Sequence, residues 1–140
     1  MSSDADAALF GSAAPLVLIA EDQADARELA VMILVRAGLR TVHVDDGREA
    51  LASARLMRPA VIVLDLGMPH LDGMGVLAQL RRFPETRDIP VIVLSGADED
   101  VLAKARARGA TSVCRKPCSP EYLVELVLRA VAGGQAREHA

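Results

Sequence analysis

The chain has few cysteines, no long hydrophobic run and no excess of basic charge, and each shortage narrows what it can be. Its only two cysteines are Cys114 and Cys118. Their close spacing in a chain of 140 residues predicts no disulfide framework. We therefore expect a protein of a reducing compartment, the cytoplasm.

Neither a membrane nor a nucleic acid is expected as a partner. The longest unbroken apolar stretch, Leu29 to Val35, is far shorter than the roughly 18 residues that span a bilayer. The acidic N-terminus lacks the basic start of a signal peptide. With 16 basic and 19 acidic residues, the chain has no general polyanion-binding charge.

The residues that are present predict one folded domain of alternating strands and helices. Hydrophobic residues make up 51% of the chain, enough to build a core. We expect a flexible tail at 1–14, a domain at 15–132 and a second flexible tail at 133–140. The predicted strands are 16–20, 40–44, 61–65, 90–95 and 111–115, and the predicted helices are 24–37, 48–58, 73–82, 99–108 and 120–132.

The strand pattern predicts an α/β fold with a doubly wound, five-stranded parallel sheet flanked by five helices. Three of the strand candidates are apolar on both faces, as in a parallel sheet that helices cover on both sides. A closed barrel would need about eight such units, so an open sheet is expected. Ligands bind such sheets beyond the carboxyl ends of the strands.

Polar residues stand at those ends: Glu21 and Asp22, Asp65, Ser95 and Lys116. Taken singly, each could be a helix cap or a solvated side chain. Clustered carboxylates repel, so keeping them together requires a cation, and oxygen ligands suit Mg²⁺. An aspartate can attack phosphorus, and a cation, a hydroxyl and an ammonium can neutralise the transferred group.

Four motifs in this order resemble the receiver domains of two-component response regulators, the CheY-like family. They are "EDQ" (21–23), "VLDLGMPHLDG" (63–73), "VIVLSG" (91–96) and "CRKP" (114–117), and the resemblance covers about residues 15–132. It implies a flavodoxin-like strand order of 2-1-3-4-5. It also implies a cis bond between Lys116 and Pro117.

The resemblance further implies a role for each site residue. Asp65 is expected to be the phosphoacceptor, and Glu21 and Asp22 to hold Mg²⁺ with Asp65 and the backbone carbonyl of Gly67. Ser95 is expected to follow the phosphoryl group on activation, and Lys116 to form a salt bridge with it.

The chain also departs from the family pattern. Glu21 and Asp22 replace a pair of aspartates, which keeps the charge and lengthens one arm. Val113 stands where receivers commonly carry an aromatic ring that moves on activation, so we expect a weaker or aliphatic relay. The residues at two positions beside the site are small: Gly67 has no side chain, and Ala97 has only a methyl group.

The implied function is that of a stand-alone signalling switch. It would take a phosphoryl group from a histidine kinase or phosphotransfer protein and alter its binding to a downstream protein. It would catalyse its own phosphorylation and slow hydrolysis, without other enzymatic activity. The alternative is a receiver-like adaptor that binds its partner without phosphorylation.

The last predicted helix carries an apolar arc of about 200° on a helical wheel, wider than the roughly 100° stripe that covers a core. Part of it could face a second copy, so a homodimer through this helix is possible, and packing in the core is the alternative. Its residues are Leu123, Val124, Leu126, Val127, Leu128, Ala130 and Val131.

Other chemistries fit less well. Gly73, Gly75 and Ala78 match G-x-G-x-x-A, but seven residues separate the strand end from the first glycine. A haloacid-dehalogenase-like phosphatase would need a second aspartate two residues after Asp65, where Gly67 stands. The cysteines and histidines show no zinc-ligand spacing.

Overall fold

The structure, a computed structural model, describes residues 14–68 and 70–139, with side chains through residue 133. Five parallel strands lie in the order β2-β1-β3-β4-β5, which confirms the predicted fold class. The strands are β1 (Leu16–Ala20), β2 (Arg40–Val44), β3 (Val61–Asp65), β4 (Val91–Ser95) and β5 (Ser112–Arg115). The helices are α1 (Ala24–Arg36), α2 (Gly47–Met57), α3 (Gly73–Arg82), α4 (Glu99–Ala107) and α5 (Pro120–His139).

Two apolar layers cover the sheet because its central strands are apolar on both faces. All residues of β3 and β4 are buried. Alternate residues of each strand point to opposite faces, so Val63 packs with α1 and α5, whereas its neighbour Leu64 packs with α2 and α3. Because all the strand pairings are parallel, the carboxyl ends of the five strands lie at the same edge of the sheet.

Side-chain caps start the helices that follow the loops at the site edge. Asp72 accepts the Gly75 N–H at 2.8 Å, and Ser119 accepts the Tyr122 N–H at 3.1 Å; aspartate and serine are both favoured at this position before a helix. Gly73 at the start of α3 lies so close to the backbone of β3 that a Cβ there would come within 2.6 Å of the Asp65 carbonyl oxygen. A side chain is therefore excluded at this position.

Arg81 near the end of α3 joins two loops that the sequence pattern does not connect. Its guanidinium donates to the carbonyl oxygens of Gly109 at 2.8 Å, Ile89 at 2.8 Å and Arg87 at 3.0 Å. The Gly109 carbonyl belongs to the α4–β5 turn, and the other two belong to the α3–β4 loop. This residue ties together the connections that lead into β4 and β5.

The predicted boundaries hold to within one residue except at the C-terminus. Helix α5 continues to His139, seven residues beyond the predicted end at Ala132. Residues 133–139, expected as a flexible tail, are therefore helical. The predicted N-terminal tail lies outside the described residues, apart from Ala14. None of the helices in the described ranges is long and apolar enough to cross a membrane.

Core packing uses most of the apolar arc of α5. Leu123, Leu126, Val127 and Val131 are buried against β1, β3 and β4. Leu128 is 38% exposed, and it continues the arc toward solvent. The apolar surface of α5 that is left for a partner is narrower than the sequence pattern indicates. The homodimer through this helix stays a prediction.

The two cysteines correct one expectation. The structure joins Cys114 of β5 to Cys118 of the β5–α5 loop by a disulfide. The close spacing of the two cysteines predicts no disulfide framework, but the turn after β5 brings their Cα atoms to 6.0 Å, within the range that a disulfide can bridge.

Candidate functional site

Asp65 is the last residue of the central strand β3. Hydrogen-bonded neighbours on both sides, β1 and β4, hold this strand in register, and the Leu66 N–H continues the pairing to the Leu94 carbonyl at 3.2 Å. Asp65 is only 6% exposed. The apolar strand therefore presents one carboxylate at the edge of the sheet where parallel strands end.

Two further acids reach this carboxylate from the end of β1. Glu21 is 3% exposed, and its backbone N–H donates to the Val44 carbonyl at 3.1 Å. Asp22, the next residue, is exposed. One carboxylate oxygen from each of Glu21, Asp22 and Asp65 lies within 4.8 Å of the others, so the structure brings together the three acids that the sequence analysis grouped.

Lys116 places an ammonium between two of these acids. Its Nζ lies 3.0 Å from Glu21 Oε1 and 3.4 Å from Asp65 Oδ1. Its backbone N–H donates to the Ser95 carbonyl at 2.9 Å, extending the β4–β5 pairing. The Lys116–Pro117 peptide bond is cis, as the resemblance implies. The ammonium is thus closer to Glu21 than to the predicted phosphoacceptor.

Local hydrogen bonds orient the remaining predicted residues. The Gly67 N–H donates to Asp65 Oδ1 at 3.2 Å, while the role of its carbonyl as a metal ligand stays a prediction. Ser95 is buried at the end of β4, and its Oγ accepts the Ala97 N–H at 3.0 Å. The hydroxyl is therefore held at the strand end that the sequence predicts.

Burial and neighbouring charges shift the pKa values of Glu21 and Asp65 in opposite directions. Burial raises the pKa of Glu21, the hydrogen bond with Asp65 raises it further, and the Lys116 ammonium only partly offsets these effects. For Asp65, burial acts to raise the pKa, but the hydrogen bonds from Glu21 and the Gly67 N–H, with the Lys116 charge, together lower it. The pKa of Glu21 therefore lies above that of Asp65.

The ammonium keeps its charge in this setting. Burial acts to lower the pKa of Lys116, but its hydrogen bond to Glu21 and the charge of Asp65 raise it. Asp65 stays anionic next to a cation, which is the protonation state that an attacking carboxylate needs.

The three acids fit a Mg²⁺ ion better than a softer metal. All the donor atoms are carboxylate oxygens, and bringing them within 4.8 Å is unfavourable without a cation. Asp45, Asp46 and Glu49 form a second acidic group. There the Asp46 side chain caps α2 by accepting the Glu49 N–H at 2.8 Å, which accounts for that cluster without a metal.

The position that lacks an aromatic ring is on β5, three residues before Lys116 in the sequence. Val113 on β5 pairs with Val93 on β4. It is partly buried against the core layer on the α2–α4 side. Aliphatic packing therefore takes the place of the ring at this position.

Sequence reasoning missed a cavity of about 420 Å³ beside the site. It opens between the start of α1 and the start of α5, and its lining includes Leu29, Leu123, Cys118 and Lys116.

Comparison with known proteins assigns the family. The sequence profile described as the response regulator receiver domain matches residues 17–128. The chain belongs to the response regulator receiver family. This membership confirms the resemblance and makes the domain part of the two-component signalling class.

Relatives of the receiver family agree in sequence and in structure. The transcriptional regulatory protein PrrA of Mycobacterium tuberculosis is 39% identical over 124 residues, which cover 87% of this chain and 51% of PrrA. The receiver domain of a Syntrophus aciditrophicus histidine kinase superposes with a TM-score of 0.80 at 36% identity, covering 86% of this chain and 92% of that one. The chemotaxis protein CheY4 of Vibrio cholerae gives 0.78 at 30% identity, covering 84% and 99%.

The chain spans about half the length of the curated relatives it matches. The similarity therefore concerns the receiver portion of those proteins.

Proposed function

We propose that the protein is a phosphorylation-dependent switch in which Asp65 accepts a phosphoryl group. The observation that carries this proposal is the Lys116 ammonium 3.4 Å from Asp65 Oδ1, at a cluster of three carboxylates. A cation beside the acceptor can neutralise charge on the transferred group. The lowered pKa of Asp65 keeps the acceptor ionised.

The donor is a phosphohistidine on a histidine kinase or phosphotransfer protein. A carboxylate oxygen of Asp65 forms a bond to phosphorus while the bond from phosphorus to the imidazole nitrogen breaks, and the imidazole leaves with its electron pair. Ser95 and Lys116 contact the transferred oxygens. The chain in this way catalyses its own phosphorylation. In the slow autodephosphorylation, water forms a bond to phosphorus, the bond from phosphorus to Asp65 breaks, and the Asp65 carboxylate and inorganic phosphate are released.

Glu21, Asp22 and Asp65, with the Gly67 carbonyl, would hold Mg²⁺. Once bound, the ion would neutralise the carboxylates and the incoming phosphoryl oxygens. Its charge would act against the burial and the neighbouring Asp65 that raise the pKa of Glu21.

The output of the switch is altered binding to a downstream protein in the cytoplasm. The exposed Leu128 on α5 supports a contact with a second copy as part of that output. Protein contacts of this kind are an output that a receiver domain can provide through its own surface.

Mass spectrometry after incubation with acetyl phosphate tests the proposal. With Mg²⁺, we expect the mass to rise by one phosphoryl group, and we expect no rise in the presence of EDTA. Asp65→Asn should show no uptake. The matched control Asp88→Asn changes an exposed aspartate in the α3–β4 loop and should behave as the unmodified chain does.

Equal uptake by the unmodified chain and Asp65→Asn would overturn the assignment of the acceptor. No uptake by either, with binding to a partner intact, would instead favour the constitutive adaptor.

A further inference from the structure

A pair of cysteines brackets the lysine of the site. The segment is Cys114-Arg115-Lys116-Pro117-Cys118, and the disulfide between its ends closes a ring that contains Lys116. The same lysine places its ammonium 3.0 Å from Glu21 and 3.4 Å from Asp65. A covalent change in this ring therefore acts on the backbone that carries the ammonium.

The two sulfurs differ in their surroundings. Cys114 is 5% exposed and belongs to the core layer on the α1–α5 side. Cys118 is partly buried and lines the cavity of about 420 Å³ that also borders Glu21 and Lys116. A small thiol or disulfide can thus approach Cys118 through the cavity, while Cys114 stays anchored in β5.

We propose that Cys114 and Cys118 form a reversible thiol–disulfide site that controls how firmly Lys116 is held at Asp65. The control of phosphorylation rests on the function proposed above. Disulfides in a reducing compartment are usually transient, and they are formed for catalysis or redox sensing. The oxidant is a low-molecular-weight disulfide of the glutathione class.

The exchange proceeds in two balanced steps. The Cys118 thiolate attacks one sulfur of glutathione disulfide, which forms a mixed disulfide and releases one glutathione thiolate. The Cys114 thiolate then attacks the Cys118 sulfur and releases the second. The two protons from the protein thiols end on the two released glutathione molecules, and excess glutathione reverses both steps.

Ring closure affects the site through backbone freedom. In the oxidised chain, the covalent bond ties the loop that carries Lys116 to β5 at both ends. In the reduced chain, Cys118 is held only by packing at the edge of the cavity, so the segment samples more conformations. We expect the reduced form to be phosphorylated about fivefold more slowly, because its Lys116 segment must first regain the backbone order of about one residue.

The full chain is tested after treatment with glutathione disulfide or with excess glutathione. Alkylation followed by mass spectrometry counts the free thiols. The rate of phosphorylation by acetyl phosphate is measured over a range of donor concentrations. We expect no free thiols and the faster maximal rate after oxidation, the slower rate after reduction, and recovery of the faster rate on reoxidation.

Cys114→Ala/Cys118→Ala is the matched control, because it cannot form the bond. Its phosphorylation rate should equal that of the reduced chain and should not respond to either treatment.

Two results would overturn the redox proposal. One is alkylation of both cysteines after treatment with glutathione disulfide. The other is a disulfide that forms while the oxidised and reduced chains are phosphorylated at the same rate. Absence of phosphorylation in both states would overturn the proposed function as well, and the thiol count separates that failure from a failure of the disulfide to form.

Discussion

Replacing Glu21 with glutamine changes the charge of the most buried acid in the site while keeping its shape. Glu21 is 3% exposed, lies within 4.8 Å of oxygens from both Asp22 and Asp65, and pairs with Lys116 at 3.0 Å. The introduced amide would still offer a carbonyl oxygen to the ammonium. The substitution therefore removes repulsion and one ionic attraction.

The magnitudes favour the glutamine in the absence of metal. With an effective dielectric constant of about 20, each repulsion between oxygens within 4.8 Å costs at least about 3 kcal/mol, and the attraction to Lys116 at 3.0 Å contributes about 5 kcal/mol. Burial of the charge adds a further cost, whereas the exposure of Asp22 weakens one repulsion. We expect Glu21→Gln to stabilise the metal-free protein by about 1–2 kcal/mol at pH 8.

The pH dependence has a definite sign. Because the folded pKa of Glu21 is raised above the ordinary value of 4.5, the folded protein binds this proton more tightly than the unfolded chain does. The wild-type penalty is therefore present above the folded pKa and disappears as the pH falls through it toward 4.5. The advantage of Glu21→Gln should shrink at pH 5.

Urea denaturation in EDTA at pH 8 and at pH 5 measures this effect. Glu28→Gln, which neutralises an exposed glutamate on α1, should change the free energy of unfolding by less than about 0.5 kcal/mol. Added Mg²⁺ should stabilise the wild type more than the variant. A Glu21→Gln protein that is less stable at pH 8, or equally stabilised at both pH values, would refute the reasoning.

Three further predictions concern the site and its support. Lys116→Ala should slow phosphorylation by acetyl phosphate about 100-fold, because one charged donor is lost; an unchanged rate, measured by mass spectrometry, would contradict its role. Arg81→Ala should lower the free energy of unfolding by about 2–4 kcal/mol through lost carbonyl hydrogen bonds, whereas the exposed Arg82→Ala should have little effect in the same urea experiment. Gly73→Ala should cost about 1–3 kcal/mol and weaken Mg²⁺ binding measured by calorimetry, since its Cβ collides with the backbone beside Asp65; unaltered binding would show that the strand end tolerates the shift.

Much of the architecture could be predicted because its causes are local. Strands such as Val61–Asp65 are apolar on both faces, and only a sheet covered on both sides buries them. The caps at Asp72 and Ser119 were also readable, since a cap needs only the right side chain before a helix. The extension of α5 to His139 was missed because two glycines, which disfavour a helix, follow Ala132.

The sequence was enough to predict which residues form the candidate site, but not which of these residues pair with one another. Parallel strands end at one edge, so placing Glu21, Asp65 and Lys116 at strand ends was enough to bring them together. That Lys116 lies closer to Glu21 than to Asp65 depends on distances of a few tenths of an ångström. The spacing of residues along the sequence does not determine such small differences in distance.

The sequence by itself determined the βα alternation and the acids, hydroxyl and ammonium that gather beyond the sheet. The pattern of apolar residues and the chemistry of each side chain depend on the sequence alone. Only the tertiary structure decided the disulfide between Cys114 and Cys118 and the contacts of Arg81. Both depend on where loops turn in space. The path of a loop is set by the packed elements that it connects, and that packing exists only once the whole sheet has formed.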